Sequence, residues 1–341
     1  MKRRRIFSPP FFIFSTCAII KTMIKKYFLQ ILTVLLMLAI AWILLSLKDE
    51  KPGIRQALDN PIQASIKQSA GDKNEKTINS EFYPIRNWLI DDPEVLAKSA
   101  IIVNFKIDNP KNNILYQKNI NQVLPIASLT KIMTAIIALE NFNQDEIIKV
   151  SKDSVEIDGD KGGLINGEEL KVGDLLYIML MESSNDAAMA LAQDNSRLGY
   201  EEFINLMNNK AVELNLKNTV FYDPVGLSPK NQSTVLEIVD LTKYALNYPL
   251  ISEIFKTNQK TISSLDEKFI HNLVNTNKLL GKIPQIIGGK TGFTDEADGC
   301  MMTIYKISEN NYLITVVLGS TQREADTEKL INWAQDAYIW Q

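Results

Sequence analysis

The order of patterns along the 341 residues predicts an α+β fold. An antiparallel sheet is built from N- and C-terminal strands and flanked by helices, with a helical subdomain inserted between the two strand sets. Three observations carry this expectation. Ile101-Ile102-Val103-Asn104-Phe105, a turn signal at Asp108-Asn109-Pro110 and Ile114-Leu115-Tyr116 read as a hairpin. From about Ser128 to Tyr248 helical periodicity dominates, and after it β-rich runs return. With 45% hydrophobic and 23% charged residues the chain has enough apolar material for a sizeable core, which excludes disorder of the whole.

The N-terminal elements read as a membrane end. Residues 1–26 carry seven Lys/Arg and no acid, while residues 48–341 hold 30 bases against 40 acids, a net of −10. Such a body excludes a nucleic-acid groove as its main business, so no nucleic-acid partner is expected. Phe28 to Leu47 is interrupted only by Gln30, Thr33 and Ser46, and twenty helical residues at ~1.5 Å each cover the hydrocarbon thickness of a bilayer. Residues 27–47 are therefore read as a transmembrane anchor with residues 1–26 cytoplasmic, because Lys21, Lys25 and Lys26 precede the span. Ala39-Ile40-Ala41 also fits a signal-peptide cleavage site, but the apolar run continues beyond it through Trp42-Ile43-Leu44-Leu45, which favours the uncleaved anchor. Met23, followed by Ile24-Lys25-Lys26, is a better natural start than Met1, so residues 1–22 need not be translated. Residues 48–79, rich in Lys, Asp, Asn, Gln and Ser and free of aromatics, read as a flexible linker. Residues 80–341 form the domain that carries the chemistry.

Within that domain Asp174 to Leu180 and Phe203 to Met207 are helical, Ile286-Ile287, Cys300 to Ile307 and Tyr312 to Leu318 are strands, and Ala325 to Trp340 is a closing amphipathic helix. One histidine, His271, and two cysteines, Cys17 and Cys300, argue against a His/Cys zinc site and a disulfide framework. No metal or cofactor is expected, so a hydrolytic base has to come from another residue type or from this single histidine.

Ser128 opens the strongly apolar segment Ile132 to Leu139, and Lys131 stands one turn further on the same face. A serine hydroxyl needs an adjacent base, and a lysine whose pKa is lowered by desolvation and neighbouring cations can be that base. A helix start also offers backbone N–H groups to a developing oxyanion. The same spacing fits an N-cap serine followed by a solvated lysine, and the pattern alone does not choose. Ser183-Ser184-Asn185 sits between two helical runs, where a hydroxyl and an amide can enter one cleft, Ser183 relaying a proton and Asn185 bonding a substrate amide. Gly288-Gly289-Lys290-Thr291-Gly292-Phe293-Thr294 leads into the C-terminal strands. Lys290 can face the Ser183 hydroxyl and Thr291 can hold a carboxylate. Gly292 lets an extended substrate approach the strand edge, and the Phe293 N–H is a second oxyanion donor.

Ser-x-x-Lys, Ser-x-Asn and Lys-Thr-Gly in this order form the motif set of penicillin-binding proteins and class A β-lactamases. With Asn185-Asp186-Ala187-Ala188, Asn205-Leu206-Met207-Asn208 and Asn275-Thr276-Asn277, residues 80–341 resemble the low-molecular-mass D-alanyl-D-alanine carboxypeptidases. The resemblance implies a β-lactamase/transpeptidase-like fold and an acyl-enzyme on Ser128, with Lys131 as base and Ser183 as a further catalytic residue. It implies substrate binding by Asn185, Lys290, Thr291, Gly292, Phe293 and Arg323. The implied partners are a peptidoglycan stem peptide ending in D-Ala-D-Ala and β-lactams as covalent inhibitors. The anchor then implies a single-pass protein of the bacterial inner membrane with an extracytoplasmic domain. The sequence departs from the family at Gly288-Gly289 and Asp298-Gly299, and it ends at Gln341 without the C-terminal β-rich domain and amphipathic anchor of many relatives, so the N-terminal segment is expected to do the anchoring.

Three other functions compete. An endopeptidase on cross-links shares every motif. A β-lactamase needs a carboxylate to activate the deacylating water, and Glu201 with Asn205 has suitable spacing, but on a segment that reads as a helix surface. A silent peptidoglycan-binding protein is disfavoured by the intact motifs, and a Ser-His-Asp triad through His271 lacks a nucleophile-elbow signal.

Overall fold

The computed structural model describes residues 84–106, 109–193 and 198–340. The basic N-terminus, the 27–47 span and the 48–79 linker lie outside them. Among the described residues no helix is long and apolar enough to cross a membrane.

The chain enters through β1 (Ile85–Arg86) and forms the long strands β2 (Ser99–Lys106) and β3 (Asn109–Lys118). After β4 (Leu124–Pro125) a 3-10 turn, Ala127–Thr130, leads into α1 (Lys131–Asn141). The inserted part continues with β5 (Ile147–Lys149), α2 (Lys152–Val155), β6 (Glu169–Lys171), α3 (Val172–Met181), α4 (Asn185–Ala192) and α5 (Tyr200–Glu213). It closes with β7 (Gln232–Ser233), α6 (Val235–Ala245), α7 (Pro249–Lys256) and the hairpin β8 (Gln259–Ser263) and β9 (Ile270–Val274). The sheet is then completed by β10 (Ile286–Thr294), β11 (Asp298–Ser308) and β12 (Asn311–Ser320), before α8 (Arg323–Ala337) and β13 (Tyr338–Ile339).

The main sheet runs β10-β11-β12-β2-β3 with every neighbour antiparallel, so strands from both ends of the domain meet at the β12–β2 pair. Both faces are covered. Ala100 and Ile102 of β2, with Leu313 and Val317 of β12, pack with Leu330, Ile331 and Ala334 of α8. The alternate residues Ile101, Val103, Ile314, Val316 and Leu318 join the helical side. Successive strand side chains point to opposite faces, so a sheet covered twice needs apolar residues at every position, and this is why these strands read as unbroken apolar runs. On the helical side α1 is buried from Lys131 through Ala138. A helix apolar on all sides belongs in an interior.

Three boundaries differ from the sequence reading, and one strand lies where that reading named no element. Asn109 and Pro110, read as a turn, begin β3. A proline fits there because β3 is an edge strand and its first residues need no ladder donor. The closing helix stops at Ala337, because Tyr338 and Ile339 pair with Arg86 and Ile85. The run around His271 is strand β9, in which His271 and Leu273 face inward and their neighbours outward. Ser128 lies in the 3-10 turn before α1 and its side chain caps neither element.

Candidate active site

Three segments far apart in sequence converge on the start of α1. Ala127 adopts a left-handed φ of 45° just before Ser128, a conformation that costs a non-glycine residue on the order of 1–3 kcal/mol and holds only where packing enforces it. Two glycines do so. A Cβ on Gly226, itself at φ +89°, would stand 2.0 Å from the Ala127 carbonyl oxygen. A Cβ on Gly292 would stand 2.8 Å from the Ser128 nitrogen and 3.1 Å from the Ala127 Cβ. The absence of a side chain at Gly292 therefore lets β10 close on the nucleophile turn, a tighter requirement than room for a passing substrate.

Lys131 Nζ lies 2.9 Å from Ser128 Oγ, 2.7 Å from Asn185 Oδ1 and 2.6 Å from the Val225 carbonyl oxygen. Its side chain is fully buried. Burial pushes its pKa down to about 7, opposed by the charges of Asp223, Asp160 and Asp186. A neighbouring cation, as the sequence reading expects, also faces it in Lys290, whose own pKa the Lys131 charge lowers. Once neutral, the amine donates to the two carbonyls and its lone pair is left for the Ser128 proton. Asn185 also holds the base. Its Oδ1 takes Lys131 and one N–H of its Nδ2 donates 2.7 Å to the Asp158 carbonyl, so its amide orients the Lys131 amine while the second N–H of Nδ2 takes part in neither bond.

The second cluster faces the first. Ser183, at a left-handed φ of 63°, accepts a 2.8 Å hydrogen bond from Lys290 Nζ, which also donates to its neighbour's Thr291 carbonyl at 2.8 Å. Lys290 is buried, and its pKa is driven well below the ordinary value by burial and then by the charges of Lys131 and Arg323. Thr291 Oγ1 lies 2.7 Å from Thr276 Oγ1. Arg323, the first residue of α8, donates from Nη1 to the Gly292 carbonyl at 2.7 Å, so it stands against the same strand. The Phe293 side chain is exposed beyond it. The structure thus brings Ser128 together with Lys131 and Lys290 with Ser183, and it sets Arg323 against the Lys-Thr-Gly strand.

Two readings of other residues resolve plainly. His271 is buried away from these groups, its Nε2 2.7 Å from Glu168 Oε1 and its Nδ1 3.2 Å from the Gly162 carbonyl oxygen. Glu201 and Asn205 lie on an exposed face of α5. What the sequence reading missed is the segment Asp223-Pro224-Val225-Gly226, which supplies a carbonyl to Lys131 and grips Ala127. Its signal was the Asp-Pro and Val-Gly turn chemistry, with no side-chain motif to mark it.

A family profile described as D-alanyl-D-alanine carboxypeptidase, Peptidase S11, matches residues 88–322. The chain is 34% identical over 252 residues to the D-alanyl-D-alanine carboxypeptidase DacF of Bacillus subtilis (strain 168), covering 71% of this chain and 63% of that protein, less than two thirds of its length. It is 33% identical over 251 residues to the D-alanyl-D-alanine endopeptidase of Pseudomonas aeruginosa, covering 72% of this chain and 79% of the relative. The crystal structure of the Streptomyces K15 DD-transpeptidase superimposes with a TM-score of 0.66 at 28% identity, over 72% of this chain and all of the other.

Proposed function

The chain belongs to the Peptidase S11 family of D-alanyl-D-alanine carboxypeptidases, and from that premise we propose that it removes the terminal D-alanine from peptidoglycan stem peptides through an acyl-enzyme on Ser128. The observation that carries the reading is the buried Lys131 amine, 2.9 Å from Ser128 Oγ and with its pKa near 7. A base tuned close to the working pH combines a populated neutral form with useful proton affinity. Ser128 Oγ attacks the carbonyl carbon of the penultimate D-alanine as its proton passes to Lys131. The negative oxygen is met by the N–H groups of Ser128 and Phe293. The tetrahedral intermediate collapses by breaking the C–N bond, and the departing amine takes a proton through Ser183, whose hydroxyl is held by Lys290. Thr291 and Arg323 take the terminal carboxylate, a bidentate task suited to a guanidinium. Water then adds to the ester, releases the shortened peptide and restores Ser128.

Cross-linked peptides present the same D-alanyl bond, and both carboxypeptidases and endopeptidases occur among the relatives. The carboxypeptidase reading follows the family description. β-Lactams acylate the same serine. The apolar segment 27–47 and the basic residues before it support an anchored protein with its catalytic domain outside the bacterial inner membrane.

Exposure to a labelled penicillin, with the adduct mapped by mass spectrometry, tests the acyl-enzyme. Wild type is expected to carry it on Ser128, Ser128→Ala to carry none, and wild type to release D-alanine from a peptide ending in D-Ala-D-Ala. An adduct on another residue would overturn the assignment. Full-length protein is expected to stay with the membrane through a carbonate wash, and a soluble form starting near Trp42 would refute the anchor.

A further inference from the structure

We infer that Asp223 is a positioning residue for the base: its carboxylate folds the segment whose Val225 carbonyl aims the Lys131 amine at Ser128, and it carries a charge that faces that amine. The inference rests on the proposed acyl-enzyme and extends it to a residue outside the three motifs.

The geometry is a carboxylate wrapped by its own chain. Asp223 Oδ1 accepts from the Val225 N–H at 2.8 Å and from the Gly226 N–H, and Oδ2 accepts from the Ser228 N–H at 2.7 Å. These bonds turn the backbone so that the Val225 carbonyl reaches Lys131 Nζ at 2.6 Å and Gly226 lies against Ala127. The segment is held from outside as well. Thr134, one turn beyond Lys131 on α1, donates to the Pro224 carbonyl at 2.6 Å, and Asn231 donates to the Asp223 carbonyl at 2.9 Å and to Thr130 Oγ1 at 3.1 Å. The element carrying the base and the segment aiming it therefore move together.

A neutral amine has two protons to donate and one lone pair, so two well-placed carbonyls decide where the lone pair points. Asn185 supplies one and Val225 the other. Removing either carbonyl frees the amine to rotate away from Ser128, and misplacement of about 1 Å can cost on the order of a hundredfold in rate. The charges facing Lys131 are Asp223 from this segment, Asp160 from the loop before β6, Asp186 from α4 and Lys290 from β10. The Tyr200 phenol of α5 also faces Asp223. Of the carboxylates that raise the Lys131 pKa against burial, Asp223 contributes most. Its neutralisation removes attraction for the protonated form, so the amine is freed at lower pH.

The test is the second-order rate of acylation by benzylpenicillin from pH 5 to 9, with wild type, Asp223→Asn and Asp223→Ala checked for fold by circular dichroism. Asparagine keeps an acceptor for Val225 and Gly226 and loses the charge. Its acid limb is expected to move to lower pH with the plateau reduced several-fold. Alanine is expected to move the limb in the same direction with a plateau loss on the order of a hundredfold. An acid limb at the wild-type pH in both variants would reduce Asp223 to a structural turn and overturn the inference. If neither variant folds, Thr134→Val decides: a lowered plateau that Thr134→Ser restores supports the aimed carbonyl, whereas wild-type rates in Thr134→Val, or a loss that serine leaves in place, overturn it. Failure of wild type to be labelled at Ser128 would defeat the proposed function itself, and labelled wild type with an unmoved limb would defeat only this inference.

Discussion

The two buried lysines of the site make a natural comparison. Each stands within 3 Å of a serine hydroxyl, each is 1% exposed or less, and each has its pKa lowered by burial. They differ in their neighbours. Lys131 ends among two carbonyls and three carboxylate charges, which restore part of the proton affinity that burial removes and leave it near 7. Lys290 faces Lys131 and Arg323, whose charges add to the loss. Burial alone therefore does not make a general base. On the proposed mechanism the acids around Lys131 keep its affinity high enough to take a proton from serine, while Lys290 is placed to donate to Ser183 and to steady the strand through the Thr291 carbonyl.

The largest effect that could break this contrast is loss of the base. Lys131→Ala is expected to slow acylation on the order of 10²–10⁴-fold, the usual worth of a positioned general base. Lys131→Arg is expected to give no rescue, because a guanidinium stays protonated and its fork does not fit the pair of carbonyls. Stopped-flow measurement of penicillin acylation reads both. Near-wild-type rates in Lys131→Arg would mean that the two lysines have exchanged roles and that Lys290 or another group takes the proton.

A smaller effect concerns stability and has a definite sign. The Lys131 pKa falls from 10.5 in the unfolded chain to about 7 in the folded protein, so between these values the unfolded state binds the extra proton. Stability then rises with pH across that window, by about 1.4 kcal/mol per pH unit in its middle. Below about pH 7 the cost of the buried amine is present in full, and above 10.5 it has vanished. In Lys131→Met this contribution disappears. Its stability relative to wild type is expected to fall steadily from pH 7 to 10 in urea titrations, and parallel profiles would show that burial does not hold the amine down.

How much of this was legible in the sequence follows from what kind of group each feature uses. The sheet was readable because strands covered on both faces are apolar at every position, as in Ile101-Ile102-Val103. The pairs Ser128–Lys131 and Ser183–Lys290 were readable because their chemistry lies in side chains at fixed spacing or in a known order of motifs. The carbonyl of Val225 was not readable, because a backbone oxygen leaves no residue type behind. The commitment of Asn185 to Lys131, and of Gly292 to the nucleophile turn, was hidden for a related reason: both depend on which segment folds against them. Strand β9, which carries His271, was not read from the sequence because a five-residue run with period two is short, and the His271 partner Glu168 lies 103 residues away.

The smallest expected effect sharpens the contrast by testing a carboxylate outside the cluster. Asp223, Asp160 and Asp186 act on Lys131 because their charges face its amine. Glu201, one residue into α5, is exposed to solvent, where screening and hydration weaken its field. It is the residue whose spacing to Asn205 fitted a deacylation base, and such a base must reach a water lying against the Ser128 ester. A carboxylate on an open helix face is poorly placed for that. Glu201→Gln is therefore expected to leave both the acylation rate and the lifetime of the penicilloyl adduct unchanged, with the wild-type adduct persisting for minutes or longer. The measurement is the recovery of free Ser128 after labelled penicillin is removed, followed by intact-mass spectrometry. Rapid recovery in wild type that Glu201→Gln abolishes would place the deacylating carboxylate on α5 and make the chain a β-lactamase in its second step. Slow recovery in both would leave Lys131 as the one tuned base for the two halves of the reaction.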